Sequence, residues 1–409
     1  MSAFATHLSF EFKTGIRNKN LLLMNYLFPL GFYLMMGFIM PEINPTFRAT
    51  MIPAMVTFAI LAATLLGLPD PLVSARESGI FRSYKINGVP AFSILLIPAL
   101  TTALHLIIVT TVIVITAPLL FDAQMPIHWL NFALTAGTLL IACTGIGVLI
   151  GVVSPSTRMT VLFSQIIFVP AMLLGGLMLP FRMLPQAARF VSQLLPATQA
   201  MNGFNGLAMG AVPDFNPWSS LLTLTLTGLL AFALAHFLFS WDSKNSKRRG
   251  HPALALLAFA PFLAGIYLAP PVPLPDSVEM LAEPVDFGGY FELVGVDTAV
   301  TDEELHIDLW WQAQTSMGQD YVVFVYAFDE EDNLIAQSDA FPAQGQNPTR
   351  LWQAGDITRD PHQLVIPYRD GLTILVGAYD PNTQDRLMLT QAGVALPGDA
   401  WVLELAEAK

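Results

Sequence analysis

The strongest constraint on this chain is a series of apolar runs of membrane-crossing length. They are Leu21–Met40, Met51–Leu68, Ala91–Phe121, Trp129–Val153, Met159–Leu179, Trp218–Trp241 and Pro252–Ala269. About 20 apolar residues in a helix cross the hydrocarbon core of a bilayer. No water there can hydrate a backbone amide, so such segments pair their N–H and C=O groups internally, as helices do. No charged residue lies in the middle of any run, which argues against an ion-coupled carrier. The expected fold is a helical integral membrane domain of six spans, with a seventh that is the shortest. Pro53, Pro98 and Pro170 fall inside runs and are candidate kinks. The chain is 54% hydrophobic and 12% charged, against about 25% charged for a soluble domain. Disorder is excluded. The single cysteine, Cys143, excludes a disulfide framework and a cysteine-based zinc site.

Charge divides the chain in two. Residues 271–409 hold 24 Asp and Glu against 5 Lys and Arg, a balance of −19; the residues before them balance at +7. In the front part Lys13, Arg17, Lys19, Arg76, Arg82, Lys85, Arg158, Lys244, Lys247, Arg248 and Arg249 fall on one side of the expected spans. Arg48, Arg182 and Arg189 fall on the other. Basic loops stay in the cytoplasm, so the N-terminus is expected inside. Six spans return the chain to the cytoplasm at Ser243–His251, and a seventh carries the acidic tail outside. Without that seventh span the tail would be cytoplasmic. Ahead of the first span, Phe4, Leu8, Phe12 and Ile16 recur every four residues, as on a helix lying on the inner membrane surface. A signal peptide would need a shorter apolar stretch and a small-residue cleavage site.

Two connections stand out. The first, Asp70–Pro90, mixes Arg76, Glu77, Arg82 and Lys85 with Ile80, Phe81 and Ile86, and Gly79 permits a bend. It reads either as a basic loop or as a docking element for a cytoplasmic partner. The second runs from Leu173 to Trp218 through Gly175, Gly176, Pro180, Pro185 and Pro196. It is too apolar for a solvated loop and too broken for a span. Short re-entrant helices fit it, and irregular backbone at depth must be covered by protein or line a cavity. His105, Gln165 and His236 are polar residues within spans, expected to face the protein interior or a pathway, or to bond between helices. Gly145-Ile-Gly147-Val-Leu-Ile-Gly151 superficially resembles a nucleotide fingerprint, but it lies within a span, where a close helix contact through Gly147 and Gly151 is expected. Thr223, Thr225 and Thr227 are expected to bond to preceding carbonyls.

These features together resemble the permease subunit of type-2 ABC transporters, the exporter-like family that moves drugs, lipids and glycans outward. The resemblance covers roughly residues 1–245. It rests on the N-terminal helix, the loop carrying Arg76-Glu77-Ser78-Gly79, and Gly-Gly-x-x-x-Pro-x-x-x-x-Pro after the fifth span. Leu195-Pro196-Ala197-Thr198 before the sixth completes it. It implies that Arg76, Glu77, Ser78, Gly79, Arg82 and Lys85 dock an ATPase. The chain has no G-x-x-x-x-G-K-[ST] loop of its own. ATP and magnesium would therefore bind a separate ATPase subunit, and this chain would carry no cofactor. Six spans also imply a second permease copy or a paralogue. The implied cargo is amphiphilic: a drug, a lipid or a lipid-linked glycan. The alternatives are a membrane-anchored recognition protein without transport and an accessory subunit of a glycosyltransferase assembly.

After Pro270–Pro275 the pattern changes to period two. Leu305, Ile307, Leu309 and Trp311 alternate with His306, Asp308, Trp310 and Gln312. Tyr321–Phe328 and Leu372–Tyr379 read as central strands. Asn333–Gln337, Gln363–Pro367, Arg386–Thr390 and Trp401–Leu405 read as shorter ones. Turns fall at Asp329–Asn333, Tyr368–Gly371 and Asp380–Thr383. An all-β sandwich is expected. The tail resembles a sandwich found at the outer end of some bacterial membrane glycosyltransferase-like proteins, which implies architecture more than activity; a glycan is its candidate partner. Trp310 is the candidate to stack on a sugar ring, with packing beneath a loop as the alternative. His306 and His362 lack an evident Ser or Cys partner. Asp329–Asp332 reads as a solvated hairpin rather than a calcium loop. A charge of −19 disfavours nucleic acid and anionic membrane surfaces. The expected divisions are an interfacial helix at 1–19, a six-span domain at 20–245, the seventh span and linker at 246–275, and the sandwich at 276–409.

Overall fold

The computed structural model describes residues 3–43, 47–241, 250–268, 278–300, 304–343, 345, 347–366 and 372–403. Lys244, Lys247, Arg248, Arg249, the Pro270–Pro275 linker and the turn at Tyr368–Gly371 lie outside these. The chain forms two compact units, Met1–Val272 and Pro273–Lys409.

The first unit is helical. Helix α1 (Ala3–Arg17) and the short turn α2 (Lys19–Leu22) precede a first span, Leu23–Ile43. That span is a π turn over Leu23–Leu27 followed by α3 (Phe28–Ile43). The second span, Phe47–Glu77, is α4 (Phe47–Leu61), a π turn (Ala62–Gly67) and α5 (Pro69–Glu77). It is the buried centre of the unit, 94% enclosed over its most apolar stretch. Helix α6 (Ile80–Ile86) follows it, and then come the spans α7 (Ala91–Phe121), α8 (Trp129–Val153) and α9 (Thr157–Leu174). Helices α10 (Gln186–Gln193) and α11 (Pro196–Gly203), with a π turn over Phe204–Ala208, lead to the sixth span, α12 (Pro217–Leu238). The last element is a 3₁₀ stretch over Pro252–Phe259 that runs into α13 (Ala260–Leu268). Among the described residues six helices are long and apolar enough to cross a membrane; Pro252–Leu268 is shorter. The expected seventh span is thus a short apolar helix packed against α12, where Gly265 lies against Thr223.

Two expectations change in detail. The second span does not stop at Leu68 but continues through Pro69 to Glu77. Pro69 has no amide proton to give to the ladder. It follows a π turn, whose bonding is already offset by one residue, so the missing bond costs the helix little. The fifth span is also shorter than read, ending at Leu174 where Gly175 caps it.

Glycines set the packing of the spans. A Cβ at Gly145 would stand 2.4 Å from the Gly228 carbonyl oxygen, and one at Gly228 2.4 Å from that of Ile141. Helices α8 and α12 therefore meet backbone to backbone. A Cβ at Gly147 would stand 2.3 Å from the Thr64 carbonyl, and Gly151 abuts Leu72. Small residues of this kind let helices associate where no hydrophobic effect drives them together. Thr223 and Thr225 bond to the carbonyls of Ser220 and Leu221, as expected. Thr227 differs: its buried hydroxyl has no partner among the described residues.

The second unit is an antiparallel sandwich. One sheet has the order β6-β3-β2-β1-β8-β9 and the other β10-β7-β4-β5. Strands β1 (Glu279–Phe287), β2 (Phe291–Val300), β3 (Glu304–Ala313) and β6 (Ile357–Val365) form most of the first. Strands β4 (Val322–Phe328), β5 (Leu334–Ala340), β7 (Thr373–Tyr379) and β10 (Trp401–Leu403) form the second. Short β8 (Leu389–Gln391) and β9 (Val394–Ala395) close one edge. Phe287, Phe291, Trp311, Val323, Val325 and Val376 fill the space between the sheets.

Candidate functional site

Of the basic residues placed by the structure, Arg76, Arg82 and Lys85 gather at one end of the helical unit, and Arg48, Arg182 and Arg189 lie at the other. At the first of these ends α5 and α6 form an elbow. Gly79 sits at φ +80°, a conformation that glycine takes without strain and other residues rarely adopt, and nothing lies within 4 Å of a Cβ built there. Glu77, Ser78, Gly79, Arg82 and Lys85 are all exposed. Phe81 turns inward, 4% exposed, against Phe239. Lys85 Nζ stands 6.0 Å from the Trp241 ring.

Arg76 departs from the expectation. It is 4% exposed, and its guanidinium donates to the Val152 oxygen at 2.7 Å and to the Ser154 oxygen. Those carbonyls close the C-terminal end of α8, where orphan acceptors and the negative end of the helix dipole favour a cation. Arg76 therefore ties the end of the second span to the end of α8 and presents no charge at the surface. The exposed elbow is left with Glu77, Arg82 and Lys85 as its charged groups.

Helix α1 lies along α7 instead of resting on lipid alone. Phe12 stacks on His105 with ring centroids 4.4 Å apart, and Gly15 approaches so closely that a Cβ would meet His105 Nε2 at 2.3 Å. The His105 Nδ1 lies 2.7 Å from the Tyr26 hydroxyl. His105 thus locks α1 and the first span to α7. The packed face of α1 is His7, Glu11 and Gly15 beside Phe12, so the four-residue stripe is split, with Ile16 exposed. Gln165, the other pathway candidate, is exposed on α9, and His236 is exposed on α12 beside Phe92. Neither faces the interior of this chain.

At the opposite end the broken connection folds into short helices packed within the helical unit. All eight residues of α11 are buried. Gly175 lies against Ala197, where a Cβ would stand 2.5 Å from the alanine's own, and Gly176 turns the chain at φ +82°. Pro180 precedes a 3₁₀ turn (Phe181–Met183), Pro185 precedes α10, and Pro196 opens α11, where its missing N–H is not needed. Side chains then satisfy the backbone that secondary structure leaves open. Asn202 donates to the Phe215 oxygen at 2.7 Å and accepts from the Asp214 amide at 2.8 Å. Ser192 donates to the Leu174 oxygen at 2.7 Å, and Arg189 donates to the oxygens of Leu184 and Arg182. Arg182 pairs with Asp214 at 2.8 Å. Asn202 and Ser192 carry no motif and were missed by sequence reasoning.

In the sandwich, Trp310 is 5% exposed and offers no open ring to a sugar. His306 stands 3.2 Å from Glu304. His362 does have a serine partner. Ser338 Oγ lies 2.9 Å from its Nδ1, and Asp360 Oδ2 lies 3.1 Å from its Nε2. Sequence reasoning missed this because Ser338 is on β5, in the other sheet. The arrangement is not built for nucleophilic chemistry. Asp360 is fully buried and also accepts from Trp311 Nε1 and the Ala343 amide, and Ser338 points inward from an edge strand. It ties the two sheets together. Asp329 accepts from the amides of Glu331 and Asn333, which makes its loop an Asx-type hairpin turn.

Six helices of membrane-crossing length among the described residues, with an exposed charged elbow at one end and short buried helices at the other, make the fold that of a multi-pass membrane protein. The family model "ABC-2 type transporter" matches residues 2–209, half of the chain, so the chain belongs to that family. Its similarity to the Bacillus subtilis (strain 168) protein named "Putative transport permease YvfS" is 22% identity over 232 residues, 56% of this chain and 93% of that protein. No solved structure matches the chain. The C-terminal sandwich lies outside the matched family region.

Proposed function

We propose that this chain is the permease of an ATP-driven exporter for amphiphilic cargo, powered by a separate ATPase that docks on the α5–α6 elbow. The observation that carries this reading is the elbow itself. It exposes Glu77, Arg82 and Lys85 while Phe81 and Arg76 anchor it from within. A push on α6 would pivot at Gly79 and reach the second span and α8 as one piece, because Arg76 joins them. Paired with a second copy, that movement supplies an alternating-access cycle in which nucleotide closure selects the outward-open state. In this reading the elbow end is cytoplasmic, and the re-entrant end faces outward as the gate. The apolar spans suit a drug, a lipid or a lipid-linked glycan better than an ion.

The test is copurification with an ATPase that bears a phosphate-binding loop, followed by ATP hydrolysis in vesicles. Glu77→Ala is expected to lower cargo-stimulated hydrolysis several-fold while leaving the amount of folded permease unchanged. Absence of any ATPase partner, or unchanged stimulation in Glu77→Ala, would remove the docking role of the elbow.

A further inference from the structure

Beneath α1, at the elbow end, lies a cavity of about 110 Å³. His7, Glu11 and Tyr84 border it on one side, and Asn25, Thr101 and Thr102 reach it from the first and third spans. Several features set it apart from a packing gap.

The first is Asn25. It is 4% exposed, it lines the cavity, and its side-chain amide has no hydrogen-bond partner among the described residues. A buried amide left unpaired costs about 1–3 kcal/mol, and nearly all such groups find partners in folded proteins. The Asn25 amide is open to the cavity, and on the same wall the buried His105 Nε2 has no hydrogen-bond partner among the described residues.

The second is the backbone. Asn25 sits on the π turn Leu23–Leu27, and its Oδ1 lies beside Gly67, which ends the π turn Ala62–Gly67. Gly67 also lines the cavity. Two helices thus carry a surplus residue at the same level, around the same space. π turns concentrate at functional sites because they re-aim side chains at a cost in helix stability.

The third is charge. Among the described residues Glu11 is the only carboxylate on the wall, and no Lys or Arg lines it. The remaining polar groups are hydroxyls, imidazoles and an amide. Burial and the nearby Glu11 carboxylate both push the Tyr84 phenol up, so it stays protonated. His7 Nε2 stands 3.6 Å from the Glu11 carboxylate, so a phosphate or carboxylate would meet an imidazole already facing that negative charge and no Lys or Arg. A primary ammonium would find the Glu11 carboxylate, and beyond it the Asn25 and threonine oxygens as acceptors for its three N–H groups.

Depth is the fourth. Counting from Phe121 at the end opposite the elbow, His105 lies sixteen residues along α7, about 24 Å by helix rise. A hydrocarbon core is about 30 Å thick. The cavity therefore lies near the level of the lipid headgroups.

We propose that this cavity is a binding site for a primary ammonium group, supplied by the headgroup of an aminophospholipid. It is independent of the reading of the elbow as an ATPase dock. The experiment is native mass spectrometry of the detergent-purified full chain with phosphatidylethanolamine, phosphatidylcholine or phosphatidylglycerol. Phosphatidylcholine differs from the first in having no N–H to donate. Phosphatidylethanolamine is expected to be retained at least about 10-fold better than the other two, the size of one charge-assisted hydrogen bond. Glu11→Gln and Asn25→Leu should each abolish that preference, and Glu42→Gln, on α3 away from the cavity, should keep it. Ethanolamine is the second arm. If it binds alone with the same sensitivity to Glu11→Gln and phosphatidylethanolamine does not, the ammonium site stands and its source is soluble. Equal retention of the three lipids with no ethanolamine binding overturns the proposal. So does a preference that survives both cavity variants.

Discussion

Arg76 shows how far one side chain's role depends on neighbours that its sequence position does not name. Within the chain it stands beside Glu77 in a charged loop, where a docking residue is expected. In space it caps α8, because Gly151 lets Leu72 approach and brings the two helix ends together. Arg76→Met is expected to remove about 3 kcal/mol, since it strands buried carbonyls that had charged donors. Thermal unfolding in detergent should show a clear drop for that variant and none for Glu77→Ala on the exposed elbow. The Ser338–Asp360–His362 network is hidden in the same way, since its serine and histidine belong to different sheets. A pH effect belongs at this scale too. Tyr326 donates to Asp339 at 3.0 Å, and burial followed by that carboxylate pushes its phenol up to about 12. The folded state thus holds the proton more tightly than the unfolded chain, whose tyrosines ionise near 10. The stabilisation is full below pH 10 and is lost as pH rises toward 12. An ultraviolet titration of tyrosinate should lose part of its latest-titrating component in Tyr326→Phe, the remainder belonging to Tyr321, which burial also pushes up to about 12.

At the scale of elements, the spans were legible because one physical rule, an apolar run of sufficient length, fixes them. Ala91–Phe121 and Trp129–Val153 agree with the sequence reading to the residue. Strands β1 and β2 were not legible. The β1–β2 and β2–β3 pairings each carry an irregularity, between Met280 and Val285 and between Leu293 and Gly295. A bulge shifts the phase of the alternation, so a period of two fails across it. Glycines within spans sort into two kinds that the sequence does not separate. Gly228 faces backbone, and Gly137 has nothing within 4 Å of a built Cβ. Gly228→Ala is expected to pry α8 from α12 and lower the unfolding temperature, by an overpacking cost of about 1–3 kcal/mol. Gly137→Ala should leave it unchanged or raise it slightly, since alanine is the better helix former by about 1 kcal/mol. The same melting experiment on both variants checks the contrast.

For the whole molecule, the division at Val272 and Pro273 falls close to the compositional one, where a mildly basic apolar body gives way to an acidic β domain. What composition leaves open is sidedness. It rests on basic residues, several of which lie outside the described chain, and on Pro252–Leu268, which is shorter than the other spans. A cysteine at exposed Ser316 is expected to react with an impermeant thiol reagent in intact cells. The native Cys143 is fully buried and adds little background. Labelling only after lysis would place the tail in the cytoplasm. The helical unit also has a mechanical property that follows from its π turns at Leu23–Leu27, Ala62–Gly67 and Phe204–Ala208. Each is a coil with one residue too many for its winding. Were a coil to rewind as ordinary α, everything beyond it would revolve by about 100° and advance by about 1.5 Å. Three such springs, two of them side by side, give a bundle of stiff rods a way to swivel without breaking.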